Sequence, residues 1–280
     1  MNITYMLFKP EMVRAQIDGR KTQTRRIMDP QLENGWEFGT ASEPGIRYGK
    51  IMSAHPRRRR FGVFIHRRSM GKGSGKYEHD LIPCPYGGPG DLVYVRENIL
   101  QSKVSFHDVC GEMKTRWTRD KVEYLADTPK PEKRFLTPDM YGSPFMDSRP
   151  SIHMPRWASR LTLEITDVRV ERVQDISEKD ARHEGLAHTT KDGGTTWKWG
   201  IPDSDGLPGN DDSGWPWSEW ETCAREAFAR LWESIHGPGS WETNNWVWVI
   251  EFRAHCSNVD ALIAQREAAS NRVDKIGHRE

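Results

Sequence analysis

Asp18-Gly-Arg-Lys-Thr-Gln-Thr-Arg-Arg26 is the stretch on which the reading of this 280-residue chain turns. It follows a predicted helix from Pro10 to Asp18, with Pro in the first turn, Val13 and Ile17 four residues apart, and Gly19 as a left-handed cap. Beyond Gly19 the basic residues begin a strand. Arg20, Lys21, Arg25 and Arg26 supply donors that suit phosphate, while Thr22, Gln23 and Thr24 supply neutral groups able to read the edge of a base. A threonine hydroxyl becomes a nucleophile when a neighbour takes its proton, and a lysine does this if burial and nearby cations lower its pKa. Lys21 has such cations beside it. Residues three apart on a regular strand face opposite ways, so Lys21 and Thr24 meet only if the backbone turns between them. The plainer alternative is a solvated basic strand that keeps the surface soluble.

Composition narrows the classes. A chain with 36% hydrophobic residues fills one ordinary core, and one domain is expected over residues 1–256, with insertions at about 29–82 and 187–217 and a polar tail at 257–280 whose helix frays. Forty-one basic against forty acidic residues exclude a protein that coats nucleic acid by bulk charge, so any such binding is local. The charge is patchy: Lys and Arg recur from Arg47 to Lys76, including Arg57-Arg-Arg-Arg60, with no Asp or Glu, whereas residues 203–226 lean acidic. Cys84, Cys110, Cys223 and Cys256 lack any zinc-like spacing, which predicts unpaired thiols, no structural metal and a reducing compartment. No cofactor is expected. The start of the chain lacks an apolar run of signal-peptide length and no segment reaches twenty uninterrupted apolar residues, so a cytoplasmic protein without membrane partners is expected. Seven of the twelve tryptophans fall between Trp197 and Trp241, where they pack a loop-rich flap or offer stacking faces.

Along the chain, residues 29–82 show no sustained periodicity and read as a mobile insertion, with one strand candidate at Arg60–His66. Gly71-Lys-Gly-Ser-Gly75 lacks the flanking strand and helix of a phosphate cradle. The turn-rich segment Pro83–Gly90 leads into a central strand at Leu92–Glu97; Lys121–Asp127 is a further strand candidate and 129–150 is mostly loop. Leu161, Leu163 and Ile165 alternate, then Val168 and Val170 continue in shifted phase, which predicts one long strand bulged near Thr166-Asp167. Ser177 caps a short helix ended by Gly185. Ser218 with Glu221 resembles a capping box, opening a structural helix with Ala224, Phe228, Leu231 and Ile235 on its buried face and Gly237 at its end. Trp246–Phe252 is a buried strand.

Three segments together carry a resemblance to a known family: Gly19-Arg-Lys-Thr-Gln-Thr-Arg-Arg26, Pro89-Gly-Asp-Leu-Val-Tyr-Val-Arg96 and Trp246-Val-Trp-Val-Ile-Glu-Phe252. They resemble the ASCH family of the PUA-like superfamily. Arg149–Arg160 and Asp167–Ser177 are similar to the enlarged ASCH-type proteins of bacteriophages and prophages. The resemblance implies an α+β fold, a PUA-like mixed β-barrel with flanking helices and long loop insertions, and an association with RNA. A member of that superfamily hydrolyses the amide of N4-acetylcytidine with a lysine and a threonine of the matching motif. By resemblance, Lys21 is the base, Thr24 the nucleophile and Glu184 the acid that protonates the leaving amine. The competing reading is a non-catalytic module that binds RNA or other single-stranded nucleic acid, with Arg20, Thr22, Arg25, Arg26 and Arg96 on phosphate or base. His153, Arg156 and Trp157 are further binding candidates, although each also has an ordinary packing role. Glu97 is expected to pair with Arg96, and Asp91 to serve the turn after Gly90. The partner is a modified nucleoside or a nucleic-acid strand.

Overall fold

A computed structural model describes the chain apart from residues 34, 41, 44, 51, 53–56, 69–76, 128–133, 136–144, 210–213 and 278–280. The segment Gly71–Gly75 and much of the expected loop at 129–150 lie outside the described residues. The chain opens with β1 (Ile3–Leu7), α1 (Pro10–Ile17) and β2 (Gln23–Ile27), followed by β3 (Glu37–Phe38), β4 (Tyr48–Lys50), β5 (Phe61–Arg68) and β6 (Tyr77–Pro83). Then come β7 (Leu92–Arg96), β8 (Ile99–His107), β9 (Met113–Tyr124), β10 (Arg134–Phe135) and β11 (Phe145–Arg149). The remainder holds β12 (Thr162–Arg172), α2 (Glu178–Arg182), β13 (Ala187–Thr190), β14 (Trp197–Gly200), α3 (Ala224–His236), β15 (Trp246–His255) and α4 (Val259–Gly277). This is an α+β organisation dominated by strands.

The central sheet has the order β1-β7-β12-β15-β2; β1 runs parallel to β7 and the other pairs are antiparallel. The register of β12 against β15 shifts between Ile165 and Asp167, at the expected bulge. One extra residue there lets Leu163 and Ile165 before it, and Val168 and Val170 after it, all enter the same core. Asp91 serves its turn as expected, accepting from Gly88 N at 3.0 Å and Asn2 N at 2.5 Å.

The barrel expectation needs correction. Among the described residues no sheet closes on itself, and β1 and β2 remain the edges of the central sheet. Side chains fill the space where a closing ladder would run. The Arg26 guanidinium of β2 lies 4.9 Å over the ring of Phe8 and donates to Leu7 O of β1 at 2.9 Å. Backbone strands pair at about 4.8 Å, which leaves no room for such a filling.

The segment 29–82 also departs from expectation, since its described residues form a second sheet of order β3-β5-β4 with β6 on β5. Val63, Ile65 and Ile82 enter the main core, and Tyr48 Oη accepts from Val170 N at 2.7 Å. The strand candidate at Arg60–His66 is found as β5, and its Gly62 is demanded by the pairing: a Cβ there would lie 2.1 Å from Ile82 O. Residues 98–149 hold a third sheet, β10-β11-β8-β9, and β13 pairs with β14.

The helix expected from Ser218 begins instead at Ala224, because the Glu178 carboxylate accepts from Ala224 N at 3.0 Å and Arg225 N at 3.1 Å and caps α3 from outside its own sequence. Ile235, expected in the core, is 44% exposed. The tail is docked at its start, with Val259 and Leu262 packed on Leu92 and Tyr94. Arg266 reaches Glu164 at 2.6 Å, and Asn258 Nδ2 donates to the carbonyls of Arg156, Trp157 and Ser159.

Candidate functional site

Between the open edges β1 and β2 lies a cavity of about 220 Å³. Its walls include Leu7 at the end of β1, Phe8 and Lys9 after it, Lys21, Thr24, Arg25 and Arg26 on the β2 side, Glu184, and the α3 face of Phe228, Leu231, Trp232, Ile235 and His236. Lys21, Thr24 and Glu184 therefore share one concavity.

A local irregularity resolves the phase problem between Lys21 and Thr24. Thr22 N and Gln23 N both donate to His183 O, at 3.1 and 3.2 Å, so two residues of one strand oppose a single carbonyl. That is a bulge, and one extra residue returns Lys21 and Thr24 to the same face. Lys21 itself forms an isolated antiparallel bridge with Glu184. The bridge follows α2, whose Ser177 cap accepts from Asp180 N at 3.0 Å. Gly185 takes φ +102° where a Cβ would lie 3.1 Å from Ala15 Cβ and 3.2 Å from Lys21 Cβ. Only glycine fits this approach.

Lys21 is 3% exposed, and its Nζ donates at 2.8 Å to both Glu184 O and Glu184 Oε2. An ammonium has three donors, so one remains. Burial lowers the pKa of Lys21; Glu184 opposes this, and the charges of Arg26 and Arg25 add to the lowering. Glu184 Oε1 accepts from Arg25 Nη1 at 2.9 Å. Arg25 commits the rest of its guanidinium to Glu171 and to Gln23 Oε1, the latter at 2.6 Å. Arg169 extends the network to Asp180 at 3.1 Å and Glu251 at 2.5 Å. The Thr24 side chain, 4% exposed, has no hydrogen-bond partner among the described residues.

The other sequence candidates separate. Both Arg25 and Arg26 line the cavity, but of the two only Arg25 is paired with carboxylates among the described residues. Arg20 pairs with Asp18 at 2.8 Å and donates to Gly185 O at 2.6 Å; Thr22 faces a neighbouring groove with Thr166 and Phe252. Arg96 lies on the opposite face of β7 from Val93 and Val95, 4.0 Å over the ring of Tyr5, and donates to Ile152 O at 3.1 Å. It does not pair with Glu97, whose carboxylate is held by Arg160 at 2.9 Å. His153 is exposed, Arg156 pairs with Asp260 at 2.5 Å, and Trp157 lies under Arg119 at 5.3 Å. None of these four residues lines the cavity. Arg57 pairs with Asp80 at 2.7 Å, and Arg58, Arg59 and Arg60 line a separate groove with Lys50.

The α3 wall escaped the sequence reading. The spacing of Phe228, Leu231 and Ile235 was visible, but a stripe does not say whether it faces core or cavity. Among the described residues the cysteines are unpaired, no group of His, Cys, Asp and Glu is arranged for a metal ion, and no helix is long and apolar enough to cross a membrane. Comparison of the chain with protein families, characterised proteins and solved structures finds no match.

Proposed function

We propose that the protein is a hydrolase acting on the amide of a modified base or nucleoside, of the N4-acetylcytidine type, and that its fold is an open, elaborated form of the PUA-like ASCH architecture. The observation that carries this reading is the buried Lys21–Glu184 pair beside an unengaged Thr24 hydroxyl, within an apolar-walled cavity. At about 220 Å³ the cavity is smaller than the ~300–1,000 Å³ of drug-sized sites, which suits one base better than a strand.

In the proposed reaction Thr24 Oγ1 attacks the acyl carbon while Lys21 Nζ takes its proton. The tetrahedral adduct collapses, the C–N bond breaks, and the amine leaves with the proton that Lys21 carries. Water then attacks the acyl-threonine and loses its proton to Lys21; the C–Oγ1 bond breaks, Lys21 returns the proton to Thr24 Oγ1, and the free acid departs. Both Glu184 oxygens accept from cations, so this geometry suits Glu184 to orienting Lys21 and leaves proton delivery to the lysine. That differs from the acid role implied by resemblance. Lowering of the Lys21 pKa by burial favours the neutral amine that the first step needs.

A non-catalytic nucleic-acid-binding role is the second reading, favoured by the groove of Lys50, Arg58, Arg59 and Arg60. Incubating the purified protein with a panel of acylated nucleosides separates the two. Acetate release supports the hydrolase; no turnover, together with RNA binding that falls steeply with salt, supports the binder.

A further inference from the structure

Four cations line the cavity, and two of them have carboxylate partners: Lys21 with Glu184, and Arg25 with Glu184 and Glu171. Arg26 and Lys9 have none among the described residues. Arg26 is fixed from two sides, by the bond to Leu7 O at 2.9 Å and by the Phe8 ring at 4.9 Å, yet its Nε is buried without a hydrogen-bond partner. Burial disfavours the charged guanidinium, and the more distant Glu184 carboxylate, already shared by Lys21 and Arg25, offsets this in part; a directly bound anion would complete the compensation, and the planar fork of the guanidinium matches phosphate oxygens. Lys9 ends the β1 side of the same cavity, and His236 of α3 lines the wall. Burial and the Arg26 charge hold the His236 pKa down, so imidazole and guanidinium share one field.

We propose that Arg26 and Lys9 form a phosphate subsite, so that the occupant of the cavity is a nucleoside monophosphate rather than a bare nucleoside. Two cations without an ion-pair partner among the described residues, Arg26 and the exposed Lys9, match the charge of about −1.5 to −2 on a phosphomonoester near pH 7; a carboxylate would answer only one. The small volume of the cavity favours a mononucleotide over an internal phosphodiester of a strand. The nucleoside part rests on the hydrolase reading; the phosphate subsite does not.

Calorimetric titration tests this with cytidine, cytidine 5′-monophosphate, inorganic phosphate and a trinucleotide lacking terminal phosphate. The monophosphate is expected to bind at least tenfold more tightly than cytidine, both to the wild type and to Thr24→Ala. Arg26→Gln removes that preference, Lys9→Ser weakens it, and Arg26→Lys keeps part of it with an unchanged melting temperature. Equal affinity for the two cytidine ligands, including no binding of either, overturns the proposal, as does a preference that survives Arg26→Gln. Inorganic phosphate binding as tightly as the monophosphate, or the trinucleotide binding more tightly, overturns the mononucleotide assignment. A phosphate preference without acetate release from any acylated ligand sinks the hydrolase and leaves the subsite standing.

Discussion

Lys21 and Glu184, 163 residues apart, meet through backbone and side chain at once: their strand bridge is locked by Lys21 Nζ on both the carbonyl and the carboxylate of Glu184. The fold therefore delivers the two groups as a unit. Removing one partner of a buried pair strands the other charge, which typically costs about 3–5 kcal/mol. Glu184→Gln strands Lys21 and half of Arg25, and a loss of that order is expected in urea denaturation. Adding Lys21→Met to it is expected to recover part of the loss. A Glu184→Gln protein within about 1 kcal/mol of wild type would contradict a load of this size on the pair.

Thr24 is expected to behave differently. Its hydroxyl contributes no hydrogen bond to the fold among the described residues, so Thr24→Ala is expected to stay within about 1 kcal/mol of wild-type stability while acetate release falls to background. Thr24→Ser, which keeps a hydroxyl, is expected to retain measurable turnover. Equal activity of the alanine variant and wild type would remove Thr24 from the chemistry.

Stability should fall at alkaline pH for an identifiable reason. Burial pushes the Cys84 thiol from 9.0 up to about 12. From pH 9 to 12 the unfolded chain has released this proton and the folded chain still holds it, so the unfolded state binds fewer protons and stability decreases as pH rises. One such group contributes a slope of up to about 1.4 kcal/mol per pH unit. Tyr48 and Tyr86, also raised by burial, add to the decline above pH 10. The comparison of wild type with Cys84→Ala therefore belongs between pH 9 and 10, where the variant is expected to show the shallower slope.

The C-terminal helix is expected to be more than an appendage. Leu262 is 7% exposed against Leu92 and Tyr94, so Leu262→Ala should cost about 2 kcal/mol, at the low end for a buried leucine, and ending the chain before Val259 should cost more. Identical chemical denaturation of full-length and shortened chains would show α4 to be idle.

What the sequence revealed follows the range of the interactions. The β12 bulge was legible because two alternating runs change phase within a few residues, and Trp246–Phe252 was legible because most of this central strand is apolar on both faces. Of the second sheet only β5 was legible, as the strand candidate at Arg60–His66; β3 and β4, two and three residues long, are too short to show a period. The start of α3 was misread for a different reason: its capping group, Glu178, lies 46 residues upstream of Ala224. Within the site, the motif could name Lys21 and Thr24 but not their relative phase, which depends on the Thr22 and Gln23 amides sharing His183 O. Arg25 and Arg26 are adjacent and chemically alike, yet among the described residues Arg25 is paired with carboxylates and Arg26 is not. Such a difference arises from tertiary packing alone.

Glu178 does more than finish a helix. Its carboxylate holds the first amides of α3 and accepts from Cys223 Sγ at 3.1 Å, while the far end of its own short helix leads directly to Glu184. The apolar wall and the residue that orients Lys21 are consequently parts of a single jaw. The facing side is pinned as well, by Phe8 N on Arg96 O at 3.1 Å and by Arg26 on Leu7 O at 2.9 Å, so the cavity lies between two held walls.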